Sequence, residues 1–140
     1  MGPLPFRVGD RASLSRTVTE ADLVAFAGIS GDFNPLHVNA EYARRSRFGQ
    51  RVAHGLLSGA YLSAVLGMLL PGPGAILLSI QLHFRRPVRI GDTITATAEV
   101  ASIREDRSLV RLRTLCTNQD GEVTVEGEAV CLYEPVPTGA

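Results

Sequence analysis

The C-terminal half of the chain alternates apolar with polar positions, and this period of two predicts strands with one buried face. The alternation is clearest over residues 123–131, directly after Asp120-Gly121, a dipeptide typical of hairpin turns. We predict further strands over residues 75–84, 93–103 and 109–117, and a weaker first strand over 11–18. Turn residues at 91–92 and 105–107 separate them. This part of the chain is therefore expected to form an antiparallel sheet.

The longest apolar segment covers residues 55–70 and ends at a Pro-Gly-Pro-Gly sequence that breaks helices. Because the segment is apolar almost all round, we predict a helix in the centre of the core. Small residues recur at every fourth position along it, at Gly55, Gly59, Ser63 and Gly67. Another element is expected to approach this stripe closely.

Shorter helices are predicted in the N-terminal half. Thr19 and Asp22 form a capping-box pattern, and the helix that follows should end near Gly28 or Gly31. Asn39 is placed to cap a short helix over residues 40–45. Together these patterns predict an α+β fold, in which an antiparallel sheet of about five strands wraps around a long central helix. A chain of 140 residues fits a single domain spanning residues 1–140.

Composition narrows the functional classes. Apolar residues make up 45% of the chain, charged residues 20%, and the net charge is zero, which argues against a nucleic-acid partner. The apolar run over 56–70 is interrupted by small polar residues and is shorter than the roughly 20 residues that a membrane span needs. Residues 1–5 lack the features of a secretory signal, and Cys116 and Cys131 are interpreted as buried reduced thiols. We therefore expect a cytoplasmic protein.

Candidate chemistry lies in the segment Asp32-Phe33-Asn34-Pro35-Leu36-His37, which is predicted to be a loop. Pro35 fixes its own backbone and restricts Asn34, so the loop should be stiff enough to hold Asp32 and His37 in a set relation. A carboxylate and an imidazole are sufficient to move protons to and from a bound water. Taken alone, each side chain is more often structural; together they favour a catalytic site.

The same segment, followed by His54-Gly55, the apolar helix and Gly91-Asp92, resembles the (R)-specific enoyl-CoA hydratases of the MaoC-like group. The resemblance covers approximately residues 7–133. It implies a hot-dog fold, a homodimer, an acyl-CoA substrate and catalysis without a metal or organic cofactor. It also implies reversible hydration of trans-2-enoyl-CoA to (R)-3-hydroxyacyl-CoA, a product that could feed polyhydroxyalkanoate synthesis or fatty-acid metabolism.

The resemblance implies roles for five residues. Asp32 and His37 would be the catalytic pair, Asn34 a supporting polar residue, and Gly55 the donor of a backbone N–H to the thioester oxygen. Ser63 lies where a serine of the family is often close to the site. His54 is interpreted as a structural residue that orients the loop.

Three alternatives stay open at this stage. A dehydratase acting on carrier-bound chains would run the same chemistry in reverse. A hot-dog thioesterase commonly uses a carboxylate on the central helix, and residues 56–70 contain none. A non-catalytic acyl-CoA-binding module would not need Asp32 or His37. Two groups of arginines are candidates for CoA phosphates or for a solvated face balanced by glutamates: Arg44, Arg45, Arg47 and Arg51, and Arg85, Arg86 and Arg89.

Overall fold

The computed structural model describes residues 3–138, so the first two residues of the N-terminal segment and the last two residues of the expected domain lie outside it. Within that range the five predicted strands form one antiparallel sheet in the order β1-β3-β4-β5-β2. The strands are β1 (Arg11–Thr17), β2 (Ala75–Phe84), β3 (Thr93–Arg104), β4 (Leu109–Thr117) and β5 (Val123–Tyr133). The predicted sheet is confirmed, and β2 lies at one of its edges.

One face of the sheet forms the floor of the core. Along β3, Ile94, Ala96, Ala98 and Val100 are all at most 1% exposed, as the period of two predicts. The expected turn between β3 and β4 is a single 3₁₀ turn over Glu105–Arg107, and Ser108 closes it in a left-handed conformation with φ of 51°.

Four helices lie within the described residues: α1 (Glu20–Ser30), α2 (Pro35–Val38), α3 (Ala40–Arg44) and α4 (Gly55–Met68). The predicted capping box at α1 is formed, with Asp22 N–H donating to Thr19 Oγ1 at 3.2 Å and Thr19 N–H donating to the Asp22 carboxylate at 2.8 Å. Helix α1 ends at Gly31, whose φ of 80° is one that glycine adopts without steric cost.

Helix α4 packs across the sheet on one side only. Leu62 and Val65 are completely buried, whereas Leu56 and Met68 are 61% and 72% exposed. The expectation that α4 would be buried on all sides is therefore wrong for the single chain. Its apolar pattern is continuous around the helix, but the five strands cover only the face that carries Leu62 and Val65.

The stripe of small residues on α4 admits strand β2 at its N-terminal half. A Cβ atom at Gly55 would lie 2.9 Å from the Phe84 ring, and one at Gly59 would lie 3.2 Å from Leu82 Cδ1. Within residues 3–138, no atom of another element lies within 4 Å of the corresponding position at Gly67, and Ser63 is exposed. The predicted close approach is thus confirmed over the first two turns of the helix and is absent further along.

Composition predicted that the chain has no membrane span and that its two cysteines are buried thiols. Within residues 3–138, the helices are all too short or too polar to cross a bilayer. Cys116 and Cys131 are both buried and unpaired, as predicted. Burial raises the pKa of the Cys116 thiol to about 12, because the thiolate would lose its hydration.

Candidate active site

The segment that carries Asp32 is a short loop followed by one helical turn. The Asp32 carboxylate accepts the Asn34 N–H at 3.1 Å, and the Asn34 side chain in turn accepts the Leu36 N–H at 3.0 Å. Pro35 occupies the first position of α2, where its missing N–H costs nothing. The prediction of a continuous loop is therefore wrong at its end, because His37 lies on α2.

His37 is held from two directions. Its Nδ1 lies 2.8 Å from the carbonyl oxygen of Val52, and since a carbonyl can only accept, Nδ1 carries the proton. Its backbone oxygen accepts the Arg51 Nε–H at 2.8 Å, while Arg51 also pairs with Glu20 at 2.7 Å. The His37 side chain is only 9% exposed, and its Nε2 keeps a lone pair for a second partner.

His54 connects the two segments of the site. Its Nε2 donates to the backbone oxygen of Asp32 at 3.0 Å, and its ring stacks on that of His37 with centroids 3.9 Å apart. The ring also contacts Phe26, with centroids 4.9 Å apart. His54 is 3% exposed. The bond to the Asp32 backbone agrees with the interpretation of His54 as a residue that orients the loop, and His54 also lines the cavity that contains Asp32.

Asp32, His37 and His54 bring potential metal-ligand atoms within 4.8 Å of one another. The two imidazole rings are nearly parallel, with an interplanar angle of 26°. Imidazole lone pairs lie in the ring plane, so stacked rings direct them side by side rather than toward a common ion. The arrangement is better suited to holding a small polar molecule, such as water, beside Asp32 and His37.

Two cavities meet at the N-terminus of α4. The first, of about 370 Å³, contains the predicted site residues Asp32 and Gly55 together with His54; its remaining lining residues are Phe26, Ser30, Leu56 and Phe84. The second, of about 390 Å³, shares only Gly55 and Phe84 with the first. Gly55 is the first residue of α4, where backbone N–H groups lack intrahelical partners. No acceptor for its N–H is found within residues 3–138.

The structure unites four of the five predicted site residues and leaves one apart. Asp32 lines the first cavity together with Gly55, a His37 ring nitrogen lies within 4.8 Å of an Asp32 carboxylate oxygen, and Asn34 donates its N–H to that carboxylate; His37 and Asn34 do not themselves line either cavity. Ser63 is exposed two turns further along α4 and lines neither of the two cavities. Sequence reasoning did not single out Phe84, which lines both cavities. The bare stripe on α4 indicated that something approaches Gly55, without indicating which strand.

Comparison with known proteins agrees with this geometry. Residues 9–120 match the family described as MaoC like domain. The chain belongs to this family. An (R)-specific enoyl-CoA hydratase from Rhodospirillum rubrum is 50% identical to this MaoC-like protein over 124 residues, which are 89% of the chain and 85% of the relative. A 3-hydroxybutyryl-CoA dehydratase from Methylorubrum extorquens is 46% identical over 123 residues, 88% of the chain and 78% of the relative.

The fold of this MaoC-like protein also matches solved structures. An (R)-hydratase from A. caviae, involved in PHA biosynthesis, superposes with a TM-score of 0.89 at 39% identity, covering 96% of the chain and all of the hydratase. The family resemblance and the hot-dog fold expected from the sequence are both confirmed.

Proposed function

We propose that this MaoC-like protein is an (R)-specific enoyl-CoA hydratase, a hydro-lyase that reversibly adds water to trans-2-enoyl-CoA to give (R)-3-hydroxyacyl-CoA. The observation that carries the proposal is the arrangement of the Asp32 carboxylate and the His37 imidazole, which lie within 4.8 Å of each other beside the N-terminus of α4. The 50% identity to a hydratase of that name supports the same reaction.

Asp32 and His37 are the proposed catalytic residues. Because Nδ1 of His37 donates to Val52, Nε2 is an acceptor and can take a proton from water. The Asp32 carboxylate accepts the second O–H of the same water and orients its oxygen toward C3. The proton taken by His37 then passes to C2. The net change is one new C–O bond at C3 and one new C–H bond at C2, with both catalytic groups restored.

Gly55 is the proposed donor to the thioester oxygen, which gains negative charge as water attacks C3. Its N–H lies at the positive end of α4, and the absence of a side chain lets a thioester approach the backbone. Asn34 supports the site by capping α2 and so positioning His37. The mechanism proposed for Asp32, His37 and Gly55 requires no cofactor. Ser63 stays a prediction without a contact to the proposed site.

The test is the loss of enoyl-thioester absorbance with crotonyl-CoA, measured for the wild type, Asp32→Asn and His37→Ala. Released thiol and the chirality of the product are followed in the same reactions. We expect an (R) product without thiol release, and a rate loss of about 100-fold or more in each variant, the usual contribution of a general acid or base. Asp106→Asn is the matched control, because Asp106 is an exposed carboxylate that pairs with Arg104 on the distant hairpin.

The outcomes separate the alternatives. Thiol release would indicate a thioesterase, which is disfavoured because the residues Gly55–Met68 of α4 include no carboxylate. Faster turnover of crotonyl-carrier protein than of crotonyl-CoA would indicate the dehydratase of carrier-bound chains. An active, folded Asp32→Asn and His37→Ala pair would contradict the proposed catalytic residues.

A homodimer is the second part of the proposal. Strand β2 is an edge strand, and its ten residues are mostly exposed. They are nevertheless largely apolar, and Leu78 and Phe84 are 55% and 53% exposed. The exposed side of α4 continues this surface through Leu56 and Met68. A second copy pairing through β2 would cover both the apolar surface and the open strand edge. We also propose that the chain forms a single domain and that the protein is cytoplasmic. The two buried free thiols agree with the reducing conditions of the cytoplasm.

Analytical ultracentrifugation tests the dimer. We expect the wild type to sediment as a dimer, and Ile80→Lys, which places a charge on this surface, to shift the equilibrium toward monomer. Val136→Lys is the control, because Val136 is an exposed apolar residue beyond the last strand. A wild type that is monomeric at micromolar concentration would contradict this part of the proposal.

A further inference from the structure

We propose that Arg47, Arg85 and Arg86 form the site that binds the phosphate groups of the CoA arm. This inference rests on the proposed function, since it concerns the substrate of the same site. The sequence offered two groups of arginines as candidates for binding the CoA phosphates and did not distinguish among them. The inference selects three of these arginines. The selection follows from the second cavity, which all three of these arginines line.

The cavity unites segments that are far apart in the chain. Arg47 precedes α4, whereas Arg85 and Arg86 follow the end of β2. The backbone N–H groups of Arg85 and Arg86 both donate to the Thr124 oxygen, at 2.8 and 3.3 Å. This pair of bonds fixes the segment against β5, so the two side chains extend from an ordered backbone.

The charges at this cavity are available to a ligand. Arg85 pairs with Glu126 at 3.2 Å and Arg86 with Glu122 at 3.1 Å, and all four side chains are at least 41% exposed. Such exposed pairs are weak, so a phosphate can replace the carboxylates at little cost. Arg47 has no carboxylate partner within residues 3–138, and its guanidinium lies 5.6 Å from the centre of the Phe48 ring.

Other arginines of the two groups lie outside the second cavity. Arg44 pairs with Glu41 at 2.7 Å in an exposed ion pair like those of Arg85 and Arg86, so its position and not its pairing sets it apart. Arg51 is only 13% exposed and holds both Glu20 and the backbone oxygen of His37. Neither lines the second cavity. The position of the cavity therefore selects Arg47, Arg85 and Arg86.

The two cavities also give the substrate a direction. Both touch Gly55 and Phe84, and only the first contains Asp32. A thioester oxygen bound to the Gly55 N–H, with the unsaturated carbons in the first cavity, brings those carbons to Asp32. The pantetheine arm then leaves through the second cavity, whose interior is apolar and whose exposed rim carries the arginines.

The test compares crotonyl-CoA, crotonyl-dephospho-CoA and crotonyl-pantetheine as substrates for the wild type, Arg47→Gln and the double variant Arg85→Gln/Arg86→Gln. We expect each variant to raise KM for crotonyl-CoA about tenfold, equivalent to about 1.4 kcal/mol, with kcat changed less than about twofold. KM for crotonyl-pantetheine, which lacks all phosphates, should not change. If the substitutions leave KM for crotonyl-dephospho-CoA unchanged, the arginines bind the 3′-phosphate. If they raise this KM as they raise that for crotonyl-CoA, the arginines bind the diphosphate.

Matched controls remove an arginine of the same kind elsewhere. Arg45→Gln lies in the same basic run as Arg47, outside the cavity, and its contact with Glu41 is 4.0 Å long. Arg111→Gln breaks an exposed cross-strand pair with Glu128 that resembles the pairs of Arg85 and Arg86. Both controls should leave KM for crotonyl-CoA unchanged.

Equal effects of the variants on crotonyl-CoA and crotonyl-pantetheine, or no effect on crotonyl-CoA, would overturn the assignment. Calorimetric titration with free CoA separates this result from a failure of the proposed function. If the wild type binds CoA more tightly than pantetheine and the arginine variants abolish that difference, the phosphate site stands even without turnover. If no such difference exists in the wild type, the site is refuted whatever the activity.

Discussion

His54 and His37 are stacked on each other, but their contacts predict different consequences of removal. His37 donates through Nδ1 to the Val52 carbonyl, which fixes it to the chain before α4, whereas His54 donates through Nε2 to the Asp32 backbone oxygen at 3.0 Å and its Nδ1 is buried without a partner within residues 3–138. We therefore interpret His54 as a positioning residue. His54→Phe retains a ring between Phe26 and His37 and removes the bond to the loop together with the buried, unpartnered Nδ1.

The magnitude follows from one hydrogen bond. A net value of about 1 kcal/mol for such a bond predicts a roughly fivefold fall in the ratio of correctly placed to displaced Asp32 loop. We expect kcat with crotonyl-CoA to fall by at most about fivefold, KM to change little, and the melting temperature to fall by about 3 °C. His37→Phe should instead lose about 100-fold or more in kcat, because it removes a group that transfers the proton.

The assay is the crotonyl-CoA absorbance change across a pH series, with circular dichroism to confirm that both variants are folded. The pH profile of His54→Phe should keep the shape of the wild-type profile, since the proton-transferring group is unchanged. A folded His54→Phe that loses as much activity as His37→Phe, with an altered pH profile, would refute the reasoning. It would assign proton transfer to His54.

Three further predictions concern stability. Gly127→Ala should prevent normal pairing of β2 with β5, because the new Cβ would collide with the backbone oxygen of Gln81. Urea unfolding should show a large loss of stability. An unchanged unfolding midpoint would contradict the register of β2 against β5. Thr19→Ala should cost about 1 kcal/mol by removing the N-cap of α1, measured by the same unfolding and compared with the exposed substitution Ser13→Ala. The pKa of Cys116 is raised to about 12 in the folded state, so its contribution to stability is complete below the unfolded pKa near 9 and is lost as pH rises. Stability should therefore fall by up to about 1.4 kcal/mol per pH unit above pH 9, and Cys116→Ala should reduce that slope.

Local patterns along the chain were sufficient for most of the fold. The capping box at Thr19 and the turn residues that bound the strands act over a few neighbouring positions, so their outcome can be read directly from the sequence. The same holds for the Asp32 to His37 segment, whose Asx-type bonds and Pro35 act within six residues. Only its last turn was misassigned, because Asn34 caps a helix that is too short to show a periodic pattern.

The features that needed the tertiary structure all depend on contacts between distant segments. The position of His54 over His37 depends on how α4 begins beside α2, and the union of Arg47 with Arg85 and Arg86 depends on where β2 ends. Ser63 is the opposite case: its place on the small-residue stripe suggested a site residue, but in the fold it does not line the cavity that contains Asp32.

The sequence by itself determined the type of each long element, the family and the chemistry that the Asp32 and His37 loop can perform. Those properties follow from hydrophobic period, turn residues and side-chain type, which are local. Only the tertiary structure decided which face of α4 is covered, which ring nitrogen of each histidine is hydrogen-bonded and which arginines share a cavity. Each of these depends on packing between residues far apart in the chain, and burial and hydrogen bonding are set there rather than by any one segment.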